Sequence, residues 1–248
     1  MMLQRYATAL LIICSSPLHA DILWRGDFET GDASQWHTGI NAAGLSVTDR
    51  CSYDGKYAGR VQLTGDDAFL WNGNKHLNRS EFHHRMPEGA THEGKDTFFA
   101  FSFYLPKALS QHKHELGYWE SDKSWQQMFR FNIRGQSLSF QHSHQAEPFW
   151  TLDAGAAPGQ WQRLALHIHW STNPATGFVQ TWVNGEDMGK YHFPTLPAKD
   201  AWMFTQIGIL RTQEKQPAEI WIDAALESSN LESLLRAIKP GKNKPGCH

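Results

Sequence analysis

Apolar and polar residues alternate along many short stretches of this chain, and this period of two constrains its fold most strongly. Successive side chains of a strand point to opposite faces, so within 97–106 one strongly apolar strand face is formed by Phe99, Phe101, Phe103 and Leu105. The stretch 161–170 repeats the pattern, and Asn184-Gly185 is a strong signal for a tight hairpin turn. Many such strands without an internal repeat predict an all-β fold, a two-sheet antiparallel β-sandwich of jelly-roll type.

The two ends of the chain carry different signals. Residues 1–20 combine a short basic segment, an apolar run and a small final residue, and they predict a signal peptide. We therefore expect export to the periplasm or the medium. One β-jelly-roll domain is expected at 21–238, with a short C-terminal helix over 231–238. The Lys-, Gly- and Pro-rich segment 239–248 is expected to be a flexible tail.

Two cysteines, Cys51 and Cys247, would remain after removal of the signal peptide. In an oxidising compartment they could join the two ends of the domain as a disulfide. Their distance in sequence leaves both the bonded and the free state open. Two distant cysteines without a clustered partner do not predict a zinc site.

The formal net charge of the 248 residues is −2, so no overall basic bias favours nucleic acid or an anionic membrane. We expect neither as a partner, and we expect a monomer. Any attraction to an anionic ligand must come from local groups. One such group is the stretch 78–85, in which Arg79, Glu81, His83 and Arg85 alternate along a predicted strand. Four ionisable residues on one side do not form a core face, so they meet solvent or line a polar groove.

Several segments, taken in order, resemble polysaccharide lyases of the heparin lyase I, glucuronan lyase and alginate lyase kind. The similar segments are Gly26-Asp-Phe-Glu-Thr-Gly-Asp32, Arg79-Ser-Glu81, Phe101-Ser-Phe-Tyr-Leu-Pro106, Trp125-Gln-Gln127, Gly159-Gln-Trp161, Gly177-Phe-Val-Gln-Thr-Trp-Val-Asn-Gly185, Gly208-Ile-Leu-Arg211 and Trp221-Ile-Asp223. The resemblance implies a concanavalin-like jelly roll that cleaves a uronic-acid-containing polysaccharide by β-elimination. It therefore implies an anionic polysaccharide as partner and no required cofactor.

β-Elimination needs a group that neutralises the uronate, a base for the C5 proton and an acid for the leaving oxygen. By resemblance, Arg79 and Glu81 belong to the substrate-binding strand, and Gln126 or Gln127 matches the groove glutamine. The family's usual catalytic His would fall at Met128 or Phe129, and its usual Tyr falls at Leu210. The expected acid and base are therefore absent from their usual positions.

Other residues could replace them. We predict His83, His142 and Tyr191 as catalytic residues, with Tyr104 as another candidate acid. His144, Arg130, Asn132 and Arg211 are predicted to bind substrate. Three alternatives stay open at this point: His142 and His144 could be a solvated strand end, Arg130 could pair with Glu81, and Arg211 could merely close the sheet.

Glu29 and Asp223 resemble positions that hold a structural calcium ion in related sandwiches, and we predict such a site there. Two other functions compete with the lyase. A non-catalytic carbohydrate-binding jelly roll could have lost the acid and base. A glycoside hydrolase needs paired carboxylates, and the acidic pair closest together on a strand is Glu219 and Asp223.

Overall fold

A computed structural model describes residues 22–65, 69–71, 74–238 and 247. The predicted signal peptide at 1–20 lies outside these residues, as does the predicted tail apart from Cys247. Within the described part of the chain, no helix is long and apolar enough to cross a membrane.

Two antiparallel sheets face one another, as the alternation predicts. The groove sheet contains, in spatial order, β11 (Trp150–Leu152), β10 (Ser137–His142), β9 (Gln127–Arg134), β8 (His114–Ser121), β15 (Met203–Thr212), β6 (Asn74–Arg85) and β2 (Thr38–Ile40), with β5 (Phe69–Trp71) paired to β6. The outer sheet contains β14 (Glu186–His192), β13 (Phe178–Val183), β12 (Trp161–His169), β7 (Asp96–Tyr104), β16 (Ala218–Ser228), β4 (Ala58–Leu63) and β3 (Leu45–Thr48), with β1 (Ile22–Gly26) paired to β16.

Aromatic side chains fill the space between the sheets. On β7, Phe99 and Phe101 are fully buried, and they meet Trp119 and Phe131 of the groove sheet at ring-centroid distances of 5.7 and 6.2 Å. Each buried ring contributes about 1.5–3 kcal/mol of hydrophobic stabilisation. The opposite face of β7 carries Phe98, Ala100, Ser102 and Tyr104.

Residues 107–124 carry mixed charge and no strict alternation, which is typical of a long connection, but this stretch contains strand β8. The pairing of β8 with β9 shifts register twice, between Glu115 and Gly117 and between Trp119 and Glu120. Each shift is an irregularity of the bulge type, which changes the face of the residues that follow. The stretch therefore has no regular period in the sequence although it is a central strand of the groove sheet.

The C-terminal helix packs on the outer sheet, and a disulfide joins the two ends of the described chain. Helix α1 (Leu231–Ala237) begins at Asn230, whose side chain accepts a hydrogen bond from the Ser233 backbone at 2.9 Å. Its residue Leu234 is buried in a small cluster with Ala100 and Trp182, which lie on the outer face of that sheet. Cys51 and Cys247 form a disulfide with a Cα–Cα distance of 5.0 Å.

Candidate active site

Strand β6 separates its side chains between the core and an open face, as its alternation predicts. Phe82 is buried and packs in the core, with its ring centroid 4.9 Å from that of Phe28. Arg79, Glu81 and His83 alternate with it and therefore point away from the core. We call this side of the groove sheet the groove face.

Five polar side chains from five neighbouring strands lie in one row across the groove face, which we call the central row. They are opposite one another in register, in the order His83, Gln206, Tyr118, Arg130 and Gln141. Residues directly opposite each other share a face of the sheet. With about 4.8 Å between strands, the row is about 19 Å long. It can therefore accompany an extended chain of several sugar rings.

Arg79 lies at the centre of a hydrogen-bonded network. Its Nε donates to Glu81 Oε2, and its Nη2 donates to the Tyr118 hydroxyl at 2.5 Å and to Gln206 Oε1. The Tyr118 hydroxyl also donates to Gln206 Oε1. Arg79 and Glu81 are both buried, so each of the two charges depends on the other. The network fixes a guanidinium and a phenol side by side at the floor of the groove.

Tyr118 is held as a neutral phenol. Burial raises its pKa well above the usual value of 10.0, the charge of Glu81 adds to this effect, and Arg79 opposes it. Burial also raises the pKa of Glu81, while Arg79 again acts in the other direction. A neutral phenol beside a guanidinium can donate its proton and leave a phenolate that the cation stabilises.

His83 is held as a neutral imidazole. Burial lowers its pKa from 6.5 to about 4, and the positive charge of Arg85 adds to this shift. Its ring lies 4.6 Å from that of Phe204, which supplies part of the apolar surroundings. Within the described part of the chain, the buried Nε2 of His83 has no hydrogen-bond partner. This nitrogen can therefore accept a proton from a ligand.

Other buried polar atoms on the groove face also have no hydrogen-bond partner among the described residues. They are Glu81 Oε1, Glu115 Oε2, Arg130 Nε and Asn132 Oδ1. Buried polar atoms are normally paired, because an unpaired one costs about 1–3 kcal/mol. Their concentration on one face of one sheet indicates that this face is built to meet a polar ligand or ordered water.

Two more carboxylates lie beside the central row. Burial raises the pKa of Glu120 to about 7, with Arg79 opposing and Glu81 adding to the rise. Glu115 pairs with Arg130 at 3.5 Å and with Lys113 at 3.0 Å. Arg130 therefore pairs with Glu115 and not with Glu81, the partner considered from the sequence. The groove floor is consequently mixed in charge.

The loop between β8 and β9 forms an aromatic rim to one side of the central row, where β8 ends and β15 begins. Trp125 is 53% exposed, and its ring lies 6.1 Å from that of Phe204. The Arg85 guanidinium lies 4.6 Å from the ring centroid of Trp202, next to the same Phe204. This rim therefore combines apolar ring surface with one cation.

The predicted substrate-binding residues are mostly brought together. Arg79, Glu81, Arg130 and Asn132 lie on the groove face. Gln127 joins them, because a register shift puts its Oε1 where it accepts from Arg130 Nη1 at 3.1 Å.

Two further residues predicted to bind substrate lie at the rim of the groove. The amide of Gln126 lies 3.0 Å from His144 Nε2. Alternation alone predicts Gln126, and not Gln127, on the face of Arg130, so the register shift reverses the two glutamines.

Two predicted catalytic residues lie elsewhere. His142 is opposite Phe129 in register and packs on Phe193 at 4.8 Å, so it points to the core side of β10. Tyr191 belongs to the outer sheet, where its ring stacks on Phe149 at 4.5 Å and its hydroxyl donates to the Met188 carbonyl at 2.5 Å. The structure therefore places only His83, of the three predicted catalytic residues, beside Arg79.

Arg211 is buried at the end of the sheet and not in the groove. It is opposite Asn78 in register, on the face that alternates with Arg79. Its guanidinium contacts Asn78, His114 and Glu214 and donates to the Gln216 carbonyl at 2.5 Å. Of the two roles considered from the sequence, its position fits closure of the sheet.

Sequence reasoning missed Tyr118, Glu120 and Gln206. Tyr118 and Glu120 alternate with the core residue Trp119, which is a strand signal, but the register shifts hide it in the wider pattern. Gln206 is a polar residue within the apolar run of β15, and the same alternation could have placed it opposite the core. Their convergence on Arg79 depends on strand order, which the sequence does not state.

Glu29 and Asp223 hold the loop at 52–57. Glu29 Oε1 accepts from the backbone of Lys56 and Tyr57 at 2.7 and 2.8 Å, and Asp223 Oδ2 accepts from Tyr53 and Asp54 at 2.6 and 3.0 Å. Among the described residues, no group of three or more His, Cys, Asp or Glu side chains could hold a metal ion. Any ion here would take its remaining oxygens from backbone or water.

Comparisons with known proteins agree on the architecture. An endo-β-1,4-glucuronan lyase from Trichoderma reesei superposes with a TM-score of 0.66 at 14% identity, covering 86% of this chain and 98% of that one. A GH131 β-glucanase catalytic domain from Podospora anserina gives 0.58 at 14% identity, with 85% and 96% covered. An alginate lyase of polysaccharide lyase family 7 gives 0.51 at 13% identity, with 70% and 79% covered. At these identities the likeness concerns the fold alone.

Comparison at the level of sequence identifies a family, which the likeness of fold does not. A search of curated proteins finds no match. The family model described as polysaccharide lyase, however, matches residues 28–225, which include every strand of the groove sheet. The chain therefore belongs to the polysaccharide lyase family.

Proposed function

We propose that this protein cleaves a uronic-acid-containing polysaccharide by β-elimination. One observation carries the proposal: a neutral imidazole and a neutral phenol flank Gln206 in the central row, with Arg79 bound to the phenol. These are the base, the acid and the carboxylate-binding groups that the reaction requires. The unpaired polar atoms on the same face support binding of a polar polymer.

Arg79 and Gln206 would bind the uronate carboxylate. Charge neutralisation by a guanidinium acidifies the C5 proton next to the carboxylate. Asn132 and the unpaired Nε of Arg130 lie within the same groove and would hold neighbouring hydroxyl or carboxylate oxygens. Glu81 keeps Arg79 in position and charged.

In the proposed step His83 takes the C5 proton and the electrons of that C–H bond form the C4–C5 double bond. The C4–O4 bond breaks with its electron pair on O4, and Tyr118 donates its proton to that oxygen. Arg79 stabilises the resulting phenolate. Solvent then returns the proton from His83 to Tyr118, which restores both groups.

The test is incubation of the mature protein with polyglucuronate, alginate, heparin and hyaluronan while following the ultraviolet absorbance of the new C4–C5 double bond. We expect absorbance to increase with at least one polymer. If none gives absorbance and binding is still measurable, the non-catalytic carbohydrate-binding alternative is correct instead.

The pH dependence of kcat/KM should report the protonation of His83. Because its pKa is depressed to about 4, the neutral base persists as the pH falls, and kcat/KM should decline only near pH 4 and not near 6.5. Arg85→Gln removes a nearby positive charge, so it should raise the pKa of His83 and move this decline to higher pH. The measurement is kcat/KM against pH for both proteins, and an unmoved profile would argue against His83 as the base.

Glycoside hydrolysis is a second candidate, favoured by Glu120, whose pKa of about 7 suits a general acid beside the carboxylate of Glu81. The acidic pair considered from the sequence, Glu219 and Asp223, fits glycoside hydrolysis less well. Glu219 binds Arg60 at 2.8 Å on the outer sheet, and Asp223 holds a loop. Hydrolysis would release reducing ends without double-bond absorbance, and Glu120→Gln would abolish it. The lyase mechanism needs neither carboxyl as acid.

The site is also proposed to act outside the cytoplasm, in the periplasm or the medium. The signal-like segment 1–20 and the Cys51–Cys247 disulfide support this, since such bridges persist in oxidising compartments. Detection of the protein starting at Asp21 in an exported fraction would test it.

We further propose that Glu29 and Asp223 hold a structural calcium ion. Burial raises the pKa of Asp223 to about 7, and the charge of Glu29 adds to the rise. A cation bound by both carboxylates would therefore stabilise their charged forms. An ion present at 100 times its Kd would add about 2.7 kcal/mol to the free energy of unfolding. That corresponds to about 5–10 °C in Tm for a domain of this size. We expect this rise with Ca²⁺ over a chelator, and none for Asp223→Asn; an equal Tm in both conditions argues against the ion.

A further inference from the structure

We infer that the outer sheet carries a second binding site for an anionic polysaccharide, on the face that points away from the core, and that this site binds more tightly as the pH falls. The site consists of His167, His169, His192 and Lys190 around the ring of Phe178, and we call it the histidine patch. It lies on the opposite side of the sandwich from the central row, so it is separate from the groove. The inference concerns binding alone and goes beyond the proposed β-elimination.

Strand pairing brings the histidine patch together on one face. His169 of β12 is opposite Phe178 of β13, and Phe178 is opposite His192 of the edge strand β14. His167 belongs to the neighbouring row of the same face, and that row ends on β14 at Lys190. Both histidines of β12 alternate with buried core residues, so they point outward.

The ring of Phe178 lies at the centre of the patch. The rings of His167, His169 and His192 have their centroids 4.9, 5.5 and 5.7 Å from its own, and Lys190 Nζ lies 4.1 Å from it. The face of an aromatic ring attracts cations but carries no net charge. Phe178 therefore holds positive groups close together without neutralising them, as a carboxylate would.

Protection of the sheet edge explains only part of this arrangement. Charged side chains such as Lys190 commonly keep an edge strand like β14 from pairing with another chain. His167 and His169, however, lie on β12, which has a strand on each side. Their concentration beside Lys190 therefore has another cause, which an anionic ligand supplies.

The imidazoles share one carboxylate partner. Asp96 Oδ1 lies 2.7 Å from His167 Nε2 and 3.1 Å from His169 Nδ1. One carboxylate can neutralise only one of the two imidazolium groups. Burial lowers the pKa of His167, Asp96 acts in the other direction, and Lys190 and His169 add to the lowering. His167 is therefore protonated at a lower pH than an ordinary histidine.

The net charge of the patch changes sign with pH. A further carboxylate, Asp187, accepts a hydrogen bond from Gln180 within the row of Lys190. With neutral imidazoles, Lys190 faces two carboxylates and the patch is negative. Imidazole takes up its proton between about pH 5 and 8, and three such protons reverse the sign. On the neighbouring helix α1, Glu232 pairs with Arg236 at 2.7 Å, so these two charges cancel.

The ligand that fits is a long anion. β12 and β14 are two strands apart, about 10 Å, so a polymer with repeated negative charges can contact the basic groups of both strands at once. The chain belongs to a polysaccharide lyase family, so an acidic polysaccharide is the anionic polymer that this surface would meet.

The experiment measures Kd for polyglucuronate at pH 5.5 and 7.5, on either side of the ordinary histidine pKa. The background protein carries Tyr118→Phe, to slow cleavage, and Glu120→Gln, because that groove carboxyl has a pKa of about 7 and would titrate in the same range. Adding His169→Gln and His192→Gln should weaken binding about tenfold at pH 5.5 and less than about twofold at pH 7.5. His112→Gln, which changes a histidine outside the patch with a side chain 69% exposed, is the matched control and should bind like the background.

A second variant guards against loss of structure. Lys190→Gln removes an exposed charge of the patch and should weaken binding about threefold at pH 5.5. Unchanged binding at pH 5.5 in both patch variants, or equal weakening by His112→Gln, overturns the inference. Tighter binding of a DNA duplex than of polyglucuronate at that pH would assign the patch to nucleic acid and overturns it as well.

Double-bond absorbance separates this inference from the proposed function. In an otherwise wild-type protein, His169→Gln with His192→Gln should leave kcat/KM on a short oligouronate unchanged, because the groove is untouched. A loss of kcat/KM equal to the loss of binding would place these residues in the groove and overturn the inference. Absence of absorbance with the wild-type protein overturns the β-elimination and leaves the binding result in place.

Discussion

Arg79→Lys is expected to lower kcat/KM on the cleaved polymer at least a hundredfold while the protein stays folded. Lysine keeps the positive charge beside Glu81, but its single ammonium cannot place donors at both the Nε and the Nη2 positions from which the guanidinium reaches Glu81, Tyr118 and Gln206. The variant therefore loses the bidentate contact with a substrate carboxylate and the stabilisation of a developing phenolate. Steady-state kinetics by double-bond absorbance, with circular dichroism to verify folding, measure the effect.

The choice of lysine follows from burial. Arg79→Ala would leave the fully buried Glu81 without its partner. Breaking a buried pair in this way costs about 3–5 kcal/mol, so lost activity could reflect lost stability. Arg79→Gln combined with Glu81→Gln removes both charges and serves as the control for folding. Wild-type turnover in Arg79→Lys would place the carboxylate-binding site elsewhere.

Tyr118→Phe is expected to lower kcat by a factor of about 10²–10⁴, the range that loss of a general acid gives, with little change in KM. The substitution removes one hydroxyl and keeps the ring packed in the sheet. The donor to the leaving oxygen is lost, and Arg79 no longer has a phenolate to stabilise. Substrates with a better leaving group at C4 should be affected less, because they depend less on the acid.

Tyr104→Phe is the matched control for this experiment. Tyr104 lies on the outer face of the outer sheet, between Trp161 at 5.5 Å and Trp221 at 5.2 Å, far from the groove. It should leave kcat and KM unchanged. Equal losses in the two variants, or full activity in Tyr118→Phe, would rule out the proposed acid.

Part of the site can be predicted from the sequence because it depends on local alternation. The faces of β6 follow from the period of two, and this period alone places Arg79, Glu81 and His83 on one side of the strand. The prediction of His142 as a catalytic residue was wrong, although the same period puts His142 on the face of Leu138 and Phe140, which are buried in the core. Local alternation also assigns Gln126 the face that a register shift gives to Gln127.

By itself the sequence determined the fold class, the two-sheet sandwich with its short helix, and the charged face of β6. These depend on hydrophobic periodicity, which burial enforces strand by strand. Only the tertiary structure decided that Tyr118 and Gln206 meet Arg79, that Tyr191 and Arg211 do not, and that Cys51 bonds Cys247. The physical reason is that these contacts join residues far apart in sequence, 127 positions for Arg79 and Gln206 and 196 for the two cysteines, and the strand order and bulges that bring them together are not encoded in any local pattern.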